Sequence, residues 1–407
     1  MNGALPASAH TLRAKALAAR AVFRRELGII GNNGFLILMV IIAPLLYPFL
    51  YNTVYLHKME RRASICVVDQ DRTGASRQLI RDFDAHELMD VHEILPDVSV
   101  ARDRLNALQT SAVIVIPEGF ETDLKRGRQA RIGVAISNLR FLPASDIGKA
   151  IGEVLSSRAG ATIIAVLEKN GLSRDQALKQ SQPLHLITQT LYNLSETYGD
   201  FIIAGLFMLI LQQTLIMGLS GSMAMERENK TLGGLFGAAG NSAAAAIVGK
   251  GGFYIVLFAA HAAVYCSLYY RLYRIPLTGS VLALATLIIV HLMTVTVITL
   301  WIASFFRKKI TAMSIMLFTS YPFFFMSGYS WPTYSLPLFL RLVAALFPST
   351  PFFRGYTIVT QMGGGFDDIL PQLTHLLILL FAGAVLLWVR LAALRSSVQI
   401  TASHETY

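Results

Sequence analysis

The sequence predicts a mainly α-helical polytopic membrane protein with six transmembrane helices and an α/β external domain between the first and second of them. Three observations lead to this fold class. Hydrophobic residues make up 54% of the 407 residues and charged residues only 15%, whereas a soluble domain normally carries about 25% charged residues. Six charge-free runs each reach the roughly 20 residues that a helix needs to cross a bilayer. A polar stretch of about 140 residues separates the first two runs.

The predicted spans are distributed along the whole chain. They are Leu27–Leu56, Phe201–Met225, Gly251–Tyr270, Ile275–Phe306, Ile310–Leu340 and Ile369–Val389. The first run is too long for the apolar region of a signal peptide, and no small-residue cleavage site follows it, so we expect it to remain as an anchor. The resulting segments are an interface helix at 1–26, the first span at 27–56, the external domain at 57–199, the second span at 200–225, a cytoplasmic coupling loop at 226–250, the third to sixth spans within 251–393 and a cytoplasmic tail at 394–407.

The fifth run contains more helix breakers than a continuous spanning helix tolerates. In and after it stand Pro322, Gly328, Pro332, Pro337, Pro348 and Pro351. A span followed by short re-entrant helices within 331–356, which dip back from the outer face, explains this pattern. Tyr329, Trp331 and Tyr334 would then lie at the membrane interface.

Positive charge gives the orientation. Thirteen Lys and Arg lie in the segments that this topology places on one side (1–26, 222–250, 307–309 and 390–407), and four lie in the short segments on the other. By the positive-inside rule, both termini are cytoplasmic. Two of the four exceptions, Arg271 and Arg274, lie together after the third span and run against the rule.

The N-terminal segment has the pattern of a basic amphipathic helix. Apolar residues recur at spacings of three and four from Leu12 to Ile30, while Arg13, Arg20 and Arg24 lie on a different face. A helix of this kind is suited to the inner membrane surface. The alternative is a positively charged flank that only sets the topology.

The polar insertion alternates between strand and helix patterns, which favours a small α/β domain. Strands are predicted at 63–69, 87–94, 111–117 and 130–137, helices at 76–83 and 99–108, and a mostly helical tract from about 144 to 198. With 18 basic and 18 acidic residues, the insertion is neutral, so the net charge of +10 belongs to the membrane part. That distribution fits an anionic membrane face and not nucleic acid.

Candidate ligand-binding groups in the insertion are few. Asp69 and Asp71 follow the first strand, where α/β domains often bind ligands, but the sequence "DQDRTG" is rich in turn formers and a turn is the favoured interpretation. His86 and His92 have no metal-ligand spacing, and the two cysteines, Cys66 and Cys266, fit no metal or redox motif and are interpreted as packing residues.

The membrane part lacks the groups that other transport mechanisms need. Ion-coupled carriers require ionisable residues at membrane depth, and the candidates are His261, His291 and His375, each interpreted as a packing or interfacial histidine. The segment "AAAAIVGKGG" contains Gly249 and Lys250 but lacks the other glycine and the Ser or Thr of a phosphate-binding loop. We therefore expect no cofactor on this chain; if ATP drives the protein, the ATPase is a separate chain.

Four passages, in this order and spacing, resemble the permease subunit of an ABC transporter of the ABC-2 type, in the drug-export-like branch with a large external domain. They are "VFRRELGIIGNNGFLILMVIIAPLLYPFLY", "ICVVDQDRTGASRQLIRDFDA" with "SAVIVIPEGFETDLKRGRQARIGVAIS", "AMERENKTLGGL", and "FFMSGYSWPTYSLPLFLRLVAALFPSTPFFRGY". Together they span most of the chain. Each is loose alone, but their order is fairly specific.

The resemblance implies a permease in the bacterial cytoplasmic (inner) membrane that exports an amphipathic drug-like, lipid or glycolipid substrate by alternating access. Two permeases, identical or related, would form a dimer above cytoplasmic ABC ATPase subunits, which hold the ATP and magnesium. Membrane lipids are expected partners, a periplasmic adaptor is a further candidate, and nucleic acid is not expected.

The resemblance also assigns residues. The ATPase-coupling contact would be formed by Glu226, Arg227, Glu228, Thr231 and Leu232, and the interface helix would include Phe23, Arg24, Arg25 and Glu26. The re-entrant segment and outer gate would include Gly328, Trp331, Pro332 and Pro348. No catalytic residue and no metal ligand is expected.

The chain departs from the family after the coupling motif, where a Leu-rich helix is usual and this sequence reads "GGLFGAAGNSAAAA". Either this loop is flexible, or close packing against a partner needs small residues. Other functions remain open from the residues alone: a charge cluster that only ends the second span, a membrane-anchored sensor or assembly platform whose external domain binds a partner, and a polytopic membrane enzyme.

Overall fold

The computed structural model describes residues 7–54, 62–137, 141–181, 198–275 and 277–404. They form two compact units. The first comprises Met1–Leu56 together with Asp200–Tyr407, and the second, His57–Gly199, is the insertion between the first two spans. The chain ends and 182–197, which include the last part of the predicted helical tract, lie outside the described residues.

The first unit begins with a long helix that changes direction at two asparagines. Its elements are α1 (Ala7–Gly31), α2 (Gly34–Ile37), a π-helical turn (Leu38–Ile42) and α3 (Ala43–Val54). The Asn33 side chain accepts a hydrogen bond of 3.2 Å from the Leu36 amide and so caps the new helix. The boundary expected at residues 26 and 27 therefore lies near Asn33, because α1 continues to Gly31.

The second unit contains a four-stranded mixed sheet. Its elements are β1 (Ala63–Asp69), α4 (Gly74–Asp84), β2 (Met89–Leu95), α5 (Val98–Asn106), β3 (Ala112–Ile116), α6 (Phe120–Lys125), β4 (Gly133–Ile136), α7 (Phe141–Lys169) and α8 (Arg174–Ser181). The strand order is β2-β1-β3-β4, with β2 and β3 parallel to β1 and β4 antiparallel to β3. The four predicted strands and the two helices predicted among them are found in the predicted order, and α6 is an additional short helix.

Alternation along the strands gives this sheet two cores. Ile65 and Val67 of β1 face a core shared with α4 and α7, which contribute Phe83 and Ile147 among others. Cys66 and Val68 face the opposite side, where they pack with Ala101 of α5. Cys66 is thus a buried packing residue, as its isolation in the sequence predicts.

The remainder of the first unit is helical. Its elements are α9 (Tyr198–Glu228), α10 (Leu232–Ala238), α11 (Ala243–Val264), a π-helical turn (Tyr265–Tyr269), α12 (Tyr270–Leu272), α13 (Val281–Ala303), α14 (Lys309–Met326), α15 (Leu338–Ala345), α16 (Ser349–Thr360) and α17 (Leu370–His404), with 3₁₀ turns at Thr333–Ser335 and Asp367–Ile369. The apolar window of α9 is 78% buried, against 22–56% for the other long helices of this unit. Helix α9 is therefore its central helix.

Among the described residues, seven helices are long and apolar enough to cross a membrane. They are Gly34–Tyr51, Ala144–Lys169, Ile202–Glu228, Ala243–Leu272, Val281–Ala303, Lys309–Met326 and Asp367–Ser396. Six of them correspond in order to the six predicted spans. The seventh lies in α7 and contributes Ala150 and Ile151 to the core of the α/β unit. The count of six membrane crossings stays a prediction.

The structure gives the ends of the helices in two predicted segments. Within 226–250, predicted as a coupling loop, α9 continues to Glu228 and α11 already begins at Ala243, where the Ser242 side chain caps it. The run Ile310–Leu340 is not one helix, as its helix breakers predict. Helix α14 ends at Met326, because Gly328 adopts the left-handed region at φ +91° and prolines follow it.

Candidate coupling site between the interface helix and two spans

Helix α1 packs closely along α11 through one glycine. A Cβ atom at Gly249 would lie 2.5 Å from the Ala19 carbonyl oxygen and 2.5 Å from the Val22 Cβ, which is closer than real Cβ atoms come. The ring of Phe23 meets the ring of Phe253 edge to face, with centroids 5.1 Å apart. Gly249 is therefore a packing residue of this helix pair.

Four charged side chains meet where α1 contacts α9 and α11. The Glu26 carboxylate accepts a 2.6 Å hydrogen bond from the Lys250 ammonium and a 3.0 Å bond from the Ser222 hydroxyl. The Arg25 guanidinium makes a two-pronged contact with Glu226, in which Nη2 lies 2.9 Å from Oε2 and Nη1 donates to Oε1. Lys250 also lies 3.5 Å from Glu226 and joins the two pairs. These five residues are called the charge cluster below.

The charge cluster is buried but carries no net charge. Glu26 is 0% exposed, and Glu226 and Lys250 are each 2% exposed. A buried charge is costly unless it is paired and hydrogen-bonded, and here two carboxylates face two cations. Its hydrogen bond with Glu226 raises the pKa of Arg25, although burial acts in the opposite direction. The cations and carboxylates of the cluster thus balance each other in number and are paired within hydrogen-bonding distance.

Helix α10 is fastened to the cluster at its start. The Thr231 hydroxyl donates a 2.6 Å hydrogen bond to the Glu226 carboxylate, and the Thr231 amide donates to the Glu226 carbonyl at 2.8 Å. Helix α10 then buries Leu232, Leu235 and Phe236 in the core of the unit. The start of α10 and helix α1 are thus both hydrogen-bonded to the Glu226 carboxylate.

The glycines of α10 lie on its outer face. Gly233, Gly234 and Gly237 are exposed. A Cβ atom at Gly237 would meet nothing within 4 Å, and one at Gly234 would make an ordinary 3.8 Å contact with Arg25. Packing within this chain therefore does not require glycine at these two positions, and the segment is an ordered helix with a smooth outer surface.

The matches to known proteins agree with this arrangement. The family model described as ABC-2 family transporter protein matches residues 34–392, which include α9, α10, α11 and every later span. The chain belongs to the ABC-2 transporter family. It is therefore a multi-pass membrane protein and a transport component.

One similar protein is the linearmycin resistance permease protein LnrN of Bacillus subtilis (strain 168). It is 31% identical over 107 residues, which are 26% of this chain and 27% of that protein. The match thus spans about a quarter of each protein.

In this ABC-2 permease, the residues of the Glu-Arg-Glu motif point to different elements. Glu226 enters the charge cluster. Arg227 donates a 2.5 Å hydrogen bond to the Ser304 carbonyl at the end of α13. Glu228 accepts a 2.8 Å bond from the Lys309 amide, the first of α14, and caps a helix that lacks a side-chain cap of its own.

Several predicted site residues do not join the charge cluster. Arg24 is exposed on α1, Leu232 is a core residue, and Phe23 packs on α11. Conversely, the sequence does not predict Lys250 and Ser222 as members of the site. Lys250 falls at the end of the predicted cytoplasmic loop. One signal in the sequence could have identified Lys250, because a single lysine within an otherwise uncharged helical run needs a buried partner.

The predicted gate residues lie around α15 and α16. At Gly328, besides its left-handed backbone, a Cβ atom would lie 2.5 Å from the Thr333 methyl carbon, so glycine is required. Pro332 and Pro348 precede the 3₁₀ turn and α16 respectively, and Trp331 is 58% exposed. The gating role itself stays a prediction.

Helix α16 is tied to the central helix α9 by polar contacts. The Ser349 hydroxyl donates to the Gln212 side-chain oxygen at 3.0 Å, and the Tyr356 hydroxyl donates to the Ala204 carbonyl at 3.0 Å. At Gly205 of α9 a Cβ atom would collide with the Tyr329 ring. Movements of α9 are thereby linked to the segment predicted to form the gate.

The three histidines of the spans pack against neighbouring groups, as predicted. His261 Nδ1 lies 2.8 Å from the Leu257 carbonyl of its own helix, and His375 Nε2 lies 2.8 Å from the Ala345 carbonyl. His291 is buried and stacks on Phe352, with centroids 3.8 Å apart.

In the α/β unit, Asp69 and Asp71 hold a turn. The Asp71 carboxylate accepts hydrogen bonds from the Thr73 hydroxyl and from the amides of Gly119 and Glu121, at 2.6, 2.8 and 3.1 Å. Burial raises the pKa of this carboxyl, but these hydrogen bonds outweigh it and lower the pKa below its ordinary value. Within the described residues, no group of three or more potential metal ligands is found.

Proposed function

We propose that this chain is the membrane-spanning permease subunit of an ATP-driven exporter. Two copies, or this chain and a related permease, form the translocation path, and separate ATPase subunits hold the ATP and magnesium. Hydrolysis on the partner switches the permease dimer between inward-open and outward-open states. Both termini lie in the cytoplasm of a bacterial cell, and the α/β unit lies outside the inner membrane.

The observation that carries this proposal is the way α1 and α10 are built into the spans. Neither helix could transmit force if it were attached by a flexible loop. Here both are fixed through Glu226 to the end of α9, the central helix, and α1 is also fixed through Glu26 to α11. A displacement of α1 or α10 by an ATPase would therefore move two spanning helices with it.

The outer face of α10 is the docking surface in this proposal. Three glycines leave the helix surface without side chains, and at Gly234 and Gly237 packing within this chain leaves room for a side chain. A partner can then approach the α10 backbone closely. The exposed basic residues of α1, Arg20 and Arg24, supply charge beside it for acidic groups of the ATPase.

The substrate in this proposal is amphipathic. Supporting it, part of the interior of the unit is aromatic: the Phe207 ring lies 5.7–6.4 Å from four tyrosine rings, those of Tyr265, Tyr269, Tyr270 and Tyr273. The related protein is named for resistance to linearmycin, which favours outward transport of an antibiotic-like compound. Drug-like molecules, lipids and glycolipids are the classes to test.

The docking surface can be tested with one substitution and a matched control. Gly237→Leu adds a bulky side chain to the open face of α10 and raises helix propensity by up to about 1 kcal/mol, so the short helix should stay folded. We expect loss of co-purification with the ATPase and loss of ATP-dependent transport. Gly152→Leu is the control, since a Cβ atom there, on α7, also meets nothing within 4 Å. Normal ATPase association in Gly237→Leu would refute the docking assignment.

The substrate class needs a separate measurement. The permease with its ATPase is reconstituted in nanodiscs, and ATP hydrolysis is measured with a series of amphipathic drugs and lipids. Stimulation by one class, absent in the ATPase alone, is the expected result. If no amphipathic compound changes hydrolysis or is transported, the proposed substrate class is wrong.

A second candidate function is a membrane-anchored sensor or assembly platform. A groove of about 630 Å³ in the α/β unit favours it. Apolar residues of α4, α6 and α7, such as Leu79, Phe120 and Ile163, line the groove. Ligand binding to this unit without any ATPase association would support the sensor.

A further inference from the structure

A groove between two spanning helices ends at a pair of unpaired arginines. It has a volume of about 650 Å³ and lies between the α11–α12 segment and α13. Its wall contains small residues, among them Ala259, Ala263 and Ala285, and no acidic residue. Arg271 and Arg274 line the end that is distant from Lys250.

We propose that this groove binds an anionic phospholipid, with one acyl chain between the two helices and the headgroup phosphate on Arg271 and Arg274. The inference requires only that these helices span a membrane. It does not depend on the proposed substrate, the direction of transport or the ATPase.

The dimensions fit one leaflet. From Ala259 to Arg271 the helix rises roughly 18 Å, at 1.5 Å per residue. Half of the hydrocarbon thickness of a bilayer is roughly 15 Å. An acyl chain that starts at the arginines and follows the groove therefore reaches about the bilayer midplane, where the small residues end.

The charge is complementary to a phosphate and is otherwise unexplained. Arg271 lies in α12 and Arg274 follows the end of that helix; both line the groove and both are exposed. Among the described residues, neither guanidinium forms an ion pair or a hydrogen bond. The end of a helix attracts cations, yet neither side chain bonds the terminal carbonyls. Basic pockets between spanning helices are suited to anionic headgroups.

The same contact accounts for an exception to the positive-inside rule. These two residues make up half of the four basic residues in the short segments on the side that the rule expects to be poor in them. A structural phosphate on that face would offset the charge. In the proposed orientation the bound lipid therefore belongs to the outer leaflet.

The test compares two lipids on the purified full-length permease. Phosphatidylglycerol and phosphatidylcholine with identical acyl chains are titrated separately and bound lipid is counted by native mass spectrometry. We expect preference for phosphatidylglycerol, with a loss of about fivefold for each arginine replaced by glutamine. The control is Arg341→Gln with Arg354→Gln, which removes the other two basic residues in the short segments predicted on that side. Equal binding of both lipids by the unaltered protein, or an unchanged preference in Arg271→Gln/Arg274→Gln, would overturn the proposal.

A second pair of variants tests the acyl chain while the arginines stay in place. Ala263→Phe fills the groove, and Val256→Phe adds the same bulk to an exposed position of α11 that does not line it. Only Ala263→Phe should lose the bound lipid. Cys266 also lines the groove and reports on its occupant. Phosphatidylglycerol should slow its modification by a maleimide, whereas an oxidative cross-link between the Cys266 thiols of two copies would show a second permease in the groove and refute the lipid.

Discussion

Lys250 offers the sharpest test of the charge cluster, because its removal leaves two carboxylates with one cation. In Lys250→Met the Glu26 carboxylate keeps only the 3.0 Å hydrogen bond from Ser222 and an arginine nitrogen 3.8 Å away. Removing one partner of a buried ion pair typically destabilises a protein by about 3–5 kcal/mol. Because Glu26 is fully buried, we expect Lys250→Met to fall within this range.

The expected loss can be read from thermal unfolding in one detergent. A loss of 1 kcal/mol lowers the melting temperature of a domain of 150–250 residues by about 2–4 °C, and less for a larger one. Lys250→Met should therefore lower the apparent Tm by about 6–10 °C. Lys308→Met, which removes an exposed lysine, is the control and should change the stability by at most about 0.5 kcal/mol.

The double variant separates a charge effect from a packing effect. Glu26→Gln alone should also destabilise, because it leaves two cations with one carboxylate. Glu26→Gln with Lys250→Met removes both partners, and replacement of a whole buried pair is often neutral. We expect the double variant to be more stable than either single variant. A double variant as unstable as the sum of the two single changes would refute the reasoning.

Three further predictions concern Gly249, Asp71 and Glu226. Gly249→Ala should separate α1 from α11 and reduce both the folded yield and transport. Gly252→Ala is the control and should reduce neither, because a Cβ atom there meets nothing within 4 Å. Equal folded yields of the two variants would contradict the packing argument. Asp71→Asn should speed hydrogen exchange at the Gly119 amide. In the unaltered protein, protection of this amide should be present above about pH 4 and should fall as the pH drops through the lowered pKa of Asp71, because the ionised carboxylate accepts the bonds. An exchange rate that changes neither with the substitution nor with pH would contradict this prediction. Glu226→Ala should abolish transport while membrane insertion is retained, and unchanged transport at normal expression would remove Glu226 from the coupling path.

Much of the fold follows from patterns that the sequence states directly. Uncharged length locates the long helices, and the strands of the α/β unit are marked by short β-branched runs such as 111–117. The ends of helices are less predictable, because a few hydrogen bonds decide them. Asn33 and Ser242 each begin a helix through one side-chain cap, and such a cap is indistinguishable from any other polar residue until its amide partner is known.

The charge cluster shows why the site was only half predictable. The motif Glu226–Glu228 is recognisable locally, and Arg25 and Glu26 lie in a recognisable helix. Their pairing joins residues about 200 positions apart, and no spacing rule connects them. A lysine after a run of alanines and a glycine is typical of the end of a loop, and the sequence therefore predicts Lys250 there. In the structure it lies in a helix that begins seven residues earlier.

The three consecutive charged residues at the end of α9 have a geometric consequence for coupling. Successive residues of a helix differ by about 100° in direction, so Glu226, Arg227 and Glu228 must point to three sides of α9. They bond α1, the end of α13 and the start of α14 respectively. A pull on α9 would thus be shared by two further spans as well as the interface helix. The motif is dense in charge because each residue bonds a different helix to the central one, and the proposed ATPase would move all of them together if it moved this end.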